Sequence, residues 1–170
     1  MKRGQLMSNY VNDLRTKITG WVLEELATYS EFRADDLLLH LKVTYGYDTD
    51  VGIEKARPNS ILFYQAWVFD PDQQKAYSNL SKKERREFFY ELEQGLTNFL
   101  VYVDIQPDTR ETIEIIRFYR RLYPEEITKT SFFDALLMMN RAMNFTRIFI
   151  VNRLGLDIGA PESSEGKGVG

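Results

Sequence analysis

Three carboxylates on one short stretch are the residues of this sequence whose types and spacing could do chemistry. Asp48, Asp50 and Glu54 could hold a hard cation through oxygen ligands, which would make the chain a small metal-assisted hydrolase. The stretch departs from the calcium-loop pattern, however, because Val51 and Gly52 follow Asp50. Aspartate is also common in turns, where its side chain bonds local backbone amides. A turn is therefore the favoured interpretation, and the hydrolase is kept as the alternative.

Other catalytic or metal-binding constellations find little support. His40 is the single histidine, and it falls on the polar side of a strand pattern, which predicts a surface or edge residue. A catalytic role for it would require a partner that the sequence does not reveal. The absence of cysteine excludes disulfides, thiolate metal clusters and a cysteine nucleophile. We therefore predict a protein that is not an enzyme and has no metal or cofactor.

Composition restricts the partners. Charged residues make up 28% of the chain and the formal net charge is -3, so no overall positive field exists to hold a nucleic acid. The basic group Arg117, Arg120 and Arg121 leaves nucleic-acid binding as a third hypothesis. No apolar run is long enough for a membrane span, and the first residues lack the pattern of a signal peptide, which predicts a cytoplasmic protein.

The elements that must position these residues follow from hydrophobic periodicity. Helical spacing predicts helices over residues 9–29 and 81–100, where Ser81 and Glu84 have capping-box spacing, and a last helix towards Leu154 that residues 144–147 could break. Gly20, inside the first helix, could mark a close packing contact or a bend. Alternation or β-branched composition predicts strands over residues 37–45, 51–57, 61–69 and 101–106. Residues 112–123 fit a strand better than a helix, with a possible bulge between Ile115 and Ile116.

This order, α-β-β-β-α-β-β-α, predicts an α+β fold in which helices pack on an antiparallel sheet of about five strands. At 170 residues with 44% hydrophobic content, the chain fits one domain over residues 1–155. Residues 156–170, rich in Gly, Ser and Glu, are expected to form a mobile C-terminal tail.

The strand over residues 61–69 has two apolar faces. Ile61, Phe63, Trp67 and Phe69 point one way, and Leu62, Tyr64, Ala66 and Val68 point the other. One face should be covered by helices and the other by an additional element or another subunit. We therefore expect Tyr64, Ala66 and Val68, or the opposite face with Trp67, at a subunit or partner contact.

The order of elements also resembles a known superfamily. The segments LLLHLKV, VGIEKA, ILFYQAWVF, KKERREFFYELEQGL and YPEEITKTSFFDALLMMNRA look like the type III secretion chaperone-like superfamily, which includes the YbjN-like proteins. The resemblance implies an α+β fold, often dimeric, that binds other polypeptides and has no known catalytic centre. It transfers no functional residue.

Pattern and resemblance together predict a non-enzymatic protein-binding or chaperone-like module that works as a homodimer. The reasons are the surplus of apolar surface on residues 61–69 and the absence of an assembled chemical site. The expected partner is another polypeptide or a second copy of the chain.

Overall fold

The computed structural model describes residues 2–107 and 111–156 and has an α+β architecture, as predicted. Six antiparallel strands form one sheet instead of about five. In chain order the elements are α1 Lys2–Glu24, β1 Thr28–Glu31, β2 Leu37–Tyr45, β3 Tyr47–Glu54, β4 Arg57–Val68, α2 Pro71–Ser78, α3 Lys82–Thr97, β5 Tyr102–Gln106, β6 Ile115–Leu122, a short 3-10 turn Pro124–Glu126, and α4 Lys129–Leu154.

The strands lie in the order β1-β2-β3-β4-β6-β5. The first four strands follow each other as a meander, while the last pair is reversed, so that β6 lies between β4 and β5. The β4–β6 pairing runs without interruption from Ile61 opposite Leu122 to Val68 opposite Ile115. Strand β6 therefore lies directly beside β4, the strand with two largely apolar faces.

The hydrophobic core lies between one face of this sheet and the helices. Helix α1 packs on β1 and β2, helix α4 crosses β4 and β6, and α2 and α3 pack on α4. Phe132 of α4 is fully buried, and its ring lies 5.2 Å from the ring of Phe63 and 5.9 Å from that of Trp21. Such aromatic contacts tie both long helices to the same face of the sheet.

A buried polar contact fixes α4 on the sheet. Gln65 is only 3% exposed, and its side-chain amide donates hydrogen bonds to Thr49 Oγ1 at 2.7 Å and to Asn140 Oδ1 of α4 at 3.3 Å. Asn140 in turn donates to the carbonyl of Tyr45, next to the β2–β3 turn. That turn is a single residue, Gly46, at φ +84°, a conformation that favours glycine.

The first helix differs from its predicted boundaries at both ends. It begins before residue 9 and ends at Glu24, because Leu26 takes a left-handed conformation with φ +56°. The amide of Leu26 donates to the carbonyl of Leu23 and the amide of Ala27 to that of Val22, which closes the helix in a Schellman motif. The chain then turns into β1, a strand that the periodicity did not predict.

Two further boundaries differ from the prediction. The turn over residues 46–50 is shorter, so β3 begins at Tyr47, and β3 ends at Glu54 rather than at residue 57. Strand β4 begins at Arg57 rather than at residue 61 and includes Pro58, where the preceding strand was expected to stop. The loop expected after Asp70 contains α2, which Asp70 caps by accepting a hydrogen bond from the amide of Gln73.

The remaining predictions of secondary structure are mostly confirmed. Residues 115–122 form a strand without a bulge, and α4 continues through residues 144–147 to end at Gly155. Ser81 and Glu84 form the predicted capping box, and the hydrogen bonds from Ser81 hold the pKa of Glu84 below its ordinary value. The last helix is capped by Thr128 rather than by Thr130 or Ser131.

The predicted mobile tail lies outside the described residues except for Leu156. Within the described ranges, none of the helices combines the length and hydropathy needed to cross a membrane.

We predict opposite effects for two glycine-to-alanine substitutions. A Cβ at Gly95 of α3 would lie 1.9 Å from Cζ of Phe145 in α4, whereas a Cβ at Gly20 of α1 would meet nothing within 4 Å. Gly95→Ala should lower the free energy of unfolding by about 1–3 kcal/mol through overpacking. Gly20→Ala should raise it by up to about 1 kcal/mol, because alanine is the better helix former.

Chemical denaturation of both variants checks this prediction, with each serving as the control of the other. A stabilisation of equal size in both proteins would contradict the close packing of α3 on α4.

Candidate functional site

The face of the sheet opposite the helices is the candidate functional site, and we call it the open face. Side chains alternate along strands, so the positions next to the buried ones belong to it. At a register shift between Leu37 and Leu39, Leu37 also turns onto this face, with Cδ1 3.2 Å from the point where a Cβ of Gly52 would lie. Its members are Leu37, His40, Lys42 and Thr44 of β2, Asp48, Asp50, Gly52 and Glu54 of β3, Leu62, Tyr64, Ala66 and Val68 of β4, Ile115, Arg117, Tyr119 and Arg121 of β6, and Tyr102, Asp104 and Gln106 of β5.

Charge on the open face is sorted by strand. The outward charged residues of β2 and β6 are all basic or histidine, and those of β3 and β5 are all acidic. Strand β4, between the acidic β3 and the basic β6, presents only uncharged side chains from Ser60 to Val68. The centre of the face is therefore neutral and largely apolar, and its flanks are charged.

Most of these charges are paired within the chain. His40 Nε2 lies 2.7 Å from Asp50 Oδ1, and Arg117 Nη1 lies 3.6 Å from Asp104 Oδ2. These side chains are 23–44% exposed, so each pair contributes at most about 1 kcal/mol to stability.

One ion pair reaches across the neutral strand. Arg121 Nη2 of β6 lies 2.5 Å from Glu54 Oε2 of β3, as an ion contact rather than an aligned hydrogen bond. Arg121 also donates from Nη1 to Ser60 Oγ at 2.9 Å, and its side chain is only 13% exposed. This arginine closes one end of the β4 surface.

A row of tyrosines crosses the middle of the open face. Tyr64 of β4 lies opposite Tyr119 of β6, which lies opposite Tyr102 of β5. The rings of Tyr102 and Tyr119 stack with centroids 5.4 Å apart and an interplanar angle of 16°. Tyr102 is 66% exposed and Val68, at the end of β4, is 68% exposed. Aromatic side chains with this exposure are typical of surfaces that bind other proteins.

The residues expected at a partner contact divide between the two faces. Tyr64 and Ala66 are half-buried on the open face, and Val68 is exposed there. Trp67 lies on the helix-covered face, where its Nε1 donates to Gln73 Oε1 of α2 at 3.1 Å. Of the two surfaces left open by the sequence, the one with Tyr64, Ala66 and Val68 is accessible to a partner.

The carboxylates of the hydrolase alternative lie on one strand but turn to different partners. Asp48 accepts from Thr44 Oγ1 at 2.7 Å, Asp50 pairs with His40, and Glu54 pairs with Arg121. Across residues 2–107 and 111–156, no three His, Cys, Asp or Glu side chains are arranged to hold a metal ion. The structure therefore gives the metal-assisted hydrolase no support.

The basic group behind the nucleic-acid hypothesis is also divided. Arg117 and Arg121 lie on the open face beside carboxylates, as described above. Arg120 alternates to the other face and donates to the carbonyl of Leu100 at 3.5 Å. These three residues do not form one basic patch.

The depressions on the surface are not shaped like small-molecule sites. One of about 240 Å³ lies on the open face between Leu37, His40, Asp50 and Tyr64. It is smaller than the roughly 300–1,000 Å³ of typical ligand pockets. Another, of about 600 Å³, follows the basic start of α3 and is lined by Lys82, Lys83, Arg86, Glu87 and Tyr90, all from one helix. The first is lined by three neighbouring strands but is small and open to solvent, and the second is lined by one helix alone.

Sequence reasoning missed the part of the open face that β5 and β6 form. It did not identify Tyr102, Tyr119 and Asp104, and it treated Arg117 and Arg121 only as a basic group. Their place beside β4 depends on β6 lying between β4 and β5, which no local pattern encodes. The pairing of His40 with Asp50 could have been predicted from the sequence, because the hairpin over residues 37–54 brings the two positions onto adjacent strands.

Comparisons with known proteins agree on the fold and assign no activity. A family model described as an uncharacterized conserved protein (DUF2299) matches residues 14–150. The chain is similar to a crystal structure of an uncharacterized protein from Methanothermobacter thermautotrophicus, with 19% sequence identity and a TM-score of 0.77 over 84% of this chain and 99% of that one. A search of curated proteins finds no match.

The likeness to YbjN is found again among solved structures. The crystal structure of YbjN, a putative transcription regulator from E. coli, matches with 14% identity and a TM-score of 0.41 over 79% of this chain and 87% of that one. A similarity at this level supports no inference about function.

We predict that divalent cations do not stabilise this protein. Because Asp48, Asp50 and Glu54 are engaged by separate partners, millimolar Mg²⁺, Mn²⁺ or Ca²⁺ should leave the melting temperature unchanged. Thermal unfolding with each ion, and with EDTA as the control, measures this. An increase in melting temperature that Asp50→Asn abolishes would contradict the prediction and revive the hydrolase.

Proposed function

Since this chain belongs to the DUF2299 family of uncharacterized conserved proteins, we propose its function from its own structure: a non-enzymatic protein-binding module that acts as a homodimer through the open face of its sheet. One observation carries the proposal. The described helices pack on one face of the sheet, while the other presents a neutral strand and a tyrosine row.

The open face has the size of a protein–protein interface. Five strands spaced about 4.8 Å apart and an eight-residue overlap of β4 and β6 give a footprint of roughly 650 Å². Specific interfaces of standard size bury about 600–1,000 Å² on each partner, and this footprint lies at the lower end of that range. A second copy that covers this face would therefore bury enough surface for a specific dimer.

The open face also has the composition of an interface. Interfaces place aromatic and apolar side chains at the centre, deplete charge there and keep a polar rim. Here Leu62, Tyr64, Ala66 and Val68 are central, and the charged residues of β2, β3, β5 and β6 flank them. A second sheet packed face to face, at the usual spacing of about 10 Å, would contact this centre directly.

A chaperone-like activity would use the edges of the sheet. Strands β1 and β5 each pair with one neighbour in the described structure, so their outer backbone groups could accept an extended peptide as an additional strand. Dimerisation through the open face leaves both edges accessible. Binding of other polypeptides would then be independent of the dimer contact.

We predict that the mass in solution is twice the 20.0 kDa of one chain at micromolar concentration. Val68→Lys should shift this mass to that of a monomer, because it places a charge at the exposed end of the central strand. Leu23→Lys is the matched control: Leu23 is 61% exposed against 68% for Val68, but it lies on α1, away from the open face. Size-exclusion chromatography with light scattering measures all three proteins.

Two outcomes would decide against the proposal. A monomeric wild-type protein at micromolar concentration would overturn the homodimer. A dimer that Val68→Lys leaves intact would place the contact elsewhere and remove the open face as its surface.

A further inference from the structure

We infer that the twofold axis of this homodimer runs along β4, so that β3 of one copy lies over β6 of the other. The inference rests on the proposed function and gives the dimer a defined geometry. Two sheets that meet through the same face are related by an axis in the plane between them. That axis can run parallel to the strands or across them, and the two choices bring different side chains together.

The charges of the open face change sign about β4. Going outward on one side, β3 is acidic and β2 is basic; going outward on the other, β6 is basic and β5 is acidic. A rotation about an axis along β4 exchanges the two sides. It therefore places acidic β3 over basic β6, and basic β2 over acidic β5, in both halves of the dimer. Opposite charges then meet between β3 of each copy and β6 of the other.

The axis across the strands gives the reverse result. It places each strand over its own copy, so that Asp48 and Asp50 would face the same carboxylates of the partner, and Arg117 would face a second arginine. Like charges in a desolvated interface are costly. The charge pattern selects the axis along β4.

The strand register then names the contacts. Lys42, Asp50, Tyr64, Tyr119 and Tyr102 lie in one row across the sheet. With the axis along β4, Tyr64 faces the partner's Tyr64, Asp50 faces the partner's Tyr119, and Lys42 faces the partner's Tyr102. In the next row, the same register places Asp48 opposite the partner's Arg117.

The charged groups of these contacts are incompletely satisfied within one chain. Among the described residues, Asp48 is bonded to the uncharged Thr44, and Lys42 lies over the ring of Phe32 at 5.6 Å without a carboxylate partner. Arg117 holds Asp104 through Nη1, while its Nε is buried and has no acceptor. With the axis along β4, the partner's Arg117 lies opposite Asp48, and the partner's Asp48 lies opposite Arg117.

Charge reversal tests the facing pair. Asp48→Arg would face the partner's Arg117, and Arg117→Asp would face the partner's Asp48, so each variant alone should raise the dimer dissociation constant at least tenfold. An equimolar mixture of the two variants should recover a dimer, because every contact in the mixed pair is again between opposite charges. Asp134→Arg, the same charge change at an exposed position of α4, is the control and should have no effect.

A distance measurement distinguishes the two axes. The chain has no cysteine, so Ser30→Cys on the exposed strand β1 can carry a single spin label. Strand β1 lies three strands from β4. With the axis along β4, the two labels of a dimer should be about 30 Å apart, from strand spacings of about 4.8 Å and a sheet separation of about 10 Å. With the axis across the strands, β1 faces its own copy and the labels should be within about 20 Å.

The outcomes separate this inference from the proposed function. A wild-type dimer with a label distance near 30 Å and recovery in the mixture supports the axis along β4. A dimer with a short distance, or variants that dimerise like the wild type, overturns the axis and leaves the homodimer standing. A protein without dipolar coupling and with monomer mass overturns both. Circular dichroism of each variant confirms that a loss of dimer is not a loss of folding.

Discussion

The structure depends on the unequal covering of the two faces of its sheet. The sheet has six strands, and the described helices pack on one of its faces. Helix α4 makes this layering possible, because it crosses the central strands and buries Phe132 between Phe63 and Trp21. A hydrogen bond from the buried amide of Gln65 to Asn140 fixes where it lies. Together with α1, which lies over β1 and β2, these helices cover the apolar side chains of that face. The chemistry of the protein is then decided by what the other face presents to its surroundings.

The open face meets two opposing demands. A sheet surface that was apolar throughout would associate with many proteins, and one that was charged throughout would lack the apolar centre typical of protein interfaces. Here the charges are sorted by strand and the central strand is neutral. His40 pairs with Asp50 and Arg117 with Asp104 on the flanks, while Arg121 and Glu54 meet across β4. In the proposed dimer, such a surface disfavours partners whose charges are in the wrong order, which is a source of specificity rather than of stability.

The sequence predicted those elements in which local pattern and tertiary environment agree. The predicted bounds of strand β2 match at both ends because one of its faces is buried and the other polar. The start of α3 was predicted correctly from the capping box of Ser81 and Glu84. The first helix was extended too far because Leu26 and Tyr29 continue the spacing, although Leu26 has φ +56° and its side chain is 93% exposed. Helix α2 was missed because eight residues form a helix only with tertiary support, which the burial of Gln73 and Tyr77 provides. The same limit applies to the site: Tyr64 was named from its strand, whereas Tyr119 and Tyr102 join it only through the pairing of β6 between β4 and β5.

The carboxylates on β3 of the open face are engaged by other side chains of the same chain. A general base or a metal ligand needs a free lone pair directed at a site that a substrate can enter. On the open face Asp50 is directed at His40 and Glu54 at Arg121, and the depression beside them is shallow. What remains available is an extended surface: the tyrosine row, the apolar side chains of β4, and the unmatched charges of Lys42 and Asp48. An extended, flat surface with charge at its margins is complementary to another folded surface, and a second copy of this chain offers the same pattern with its signs exchanged by rotation about β4.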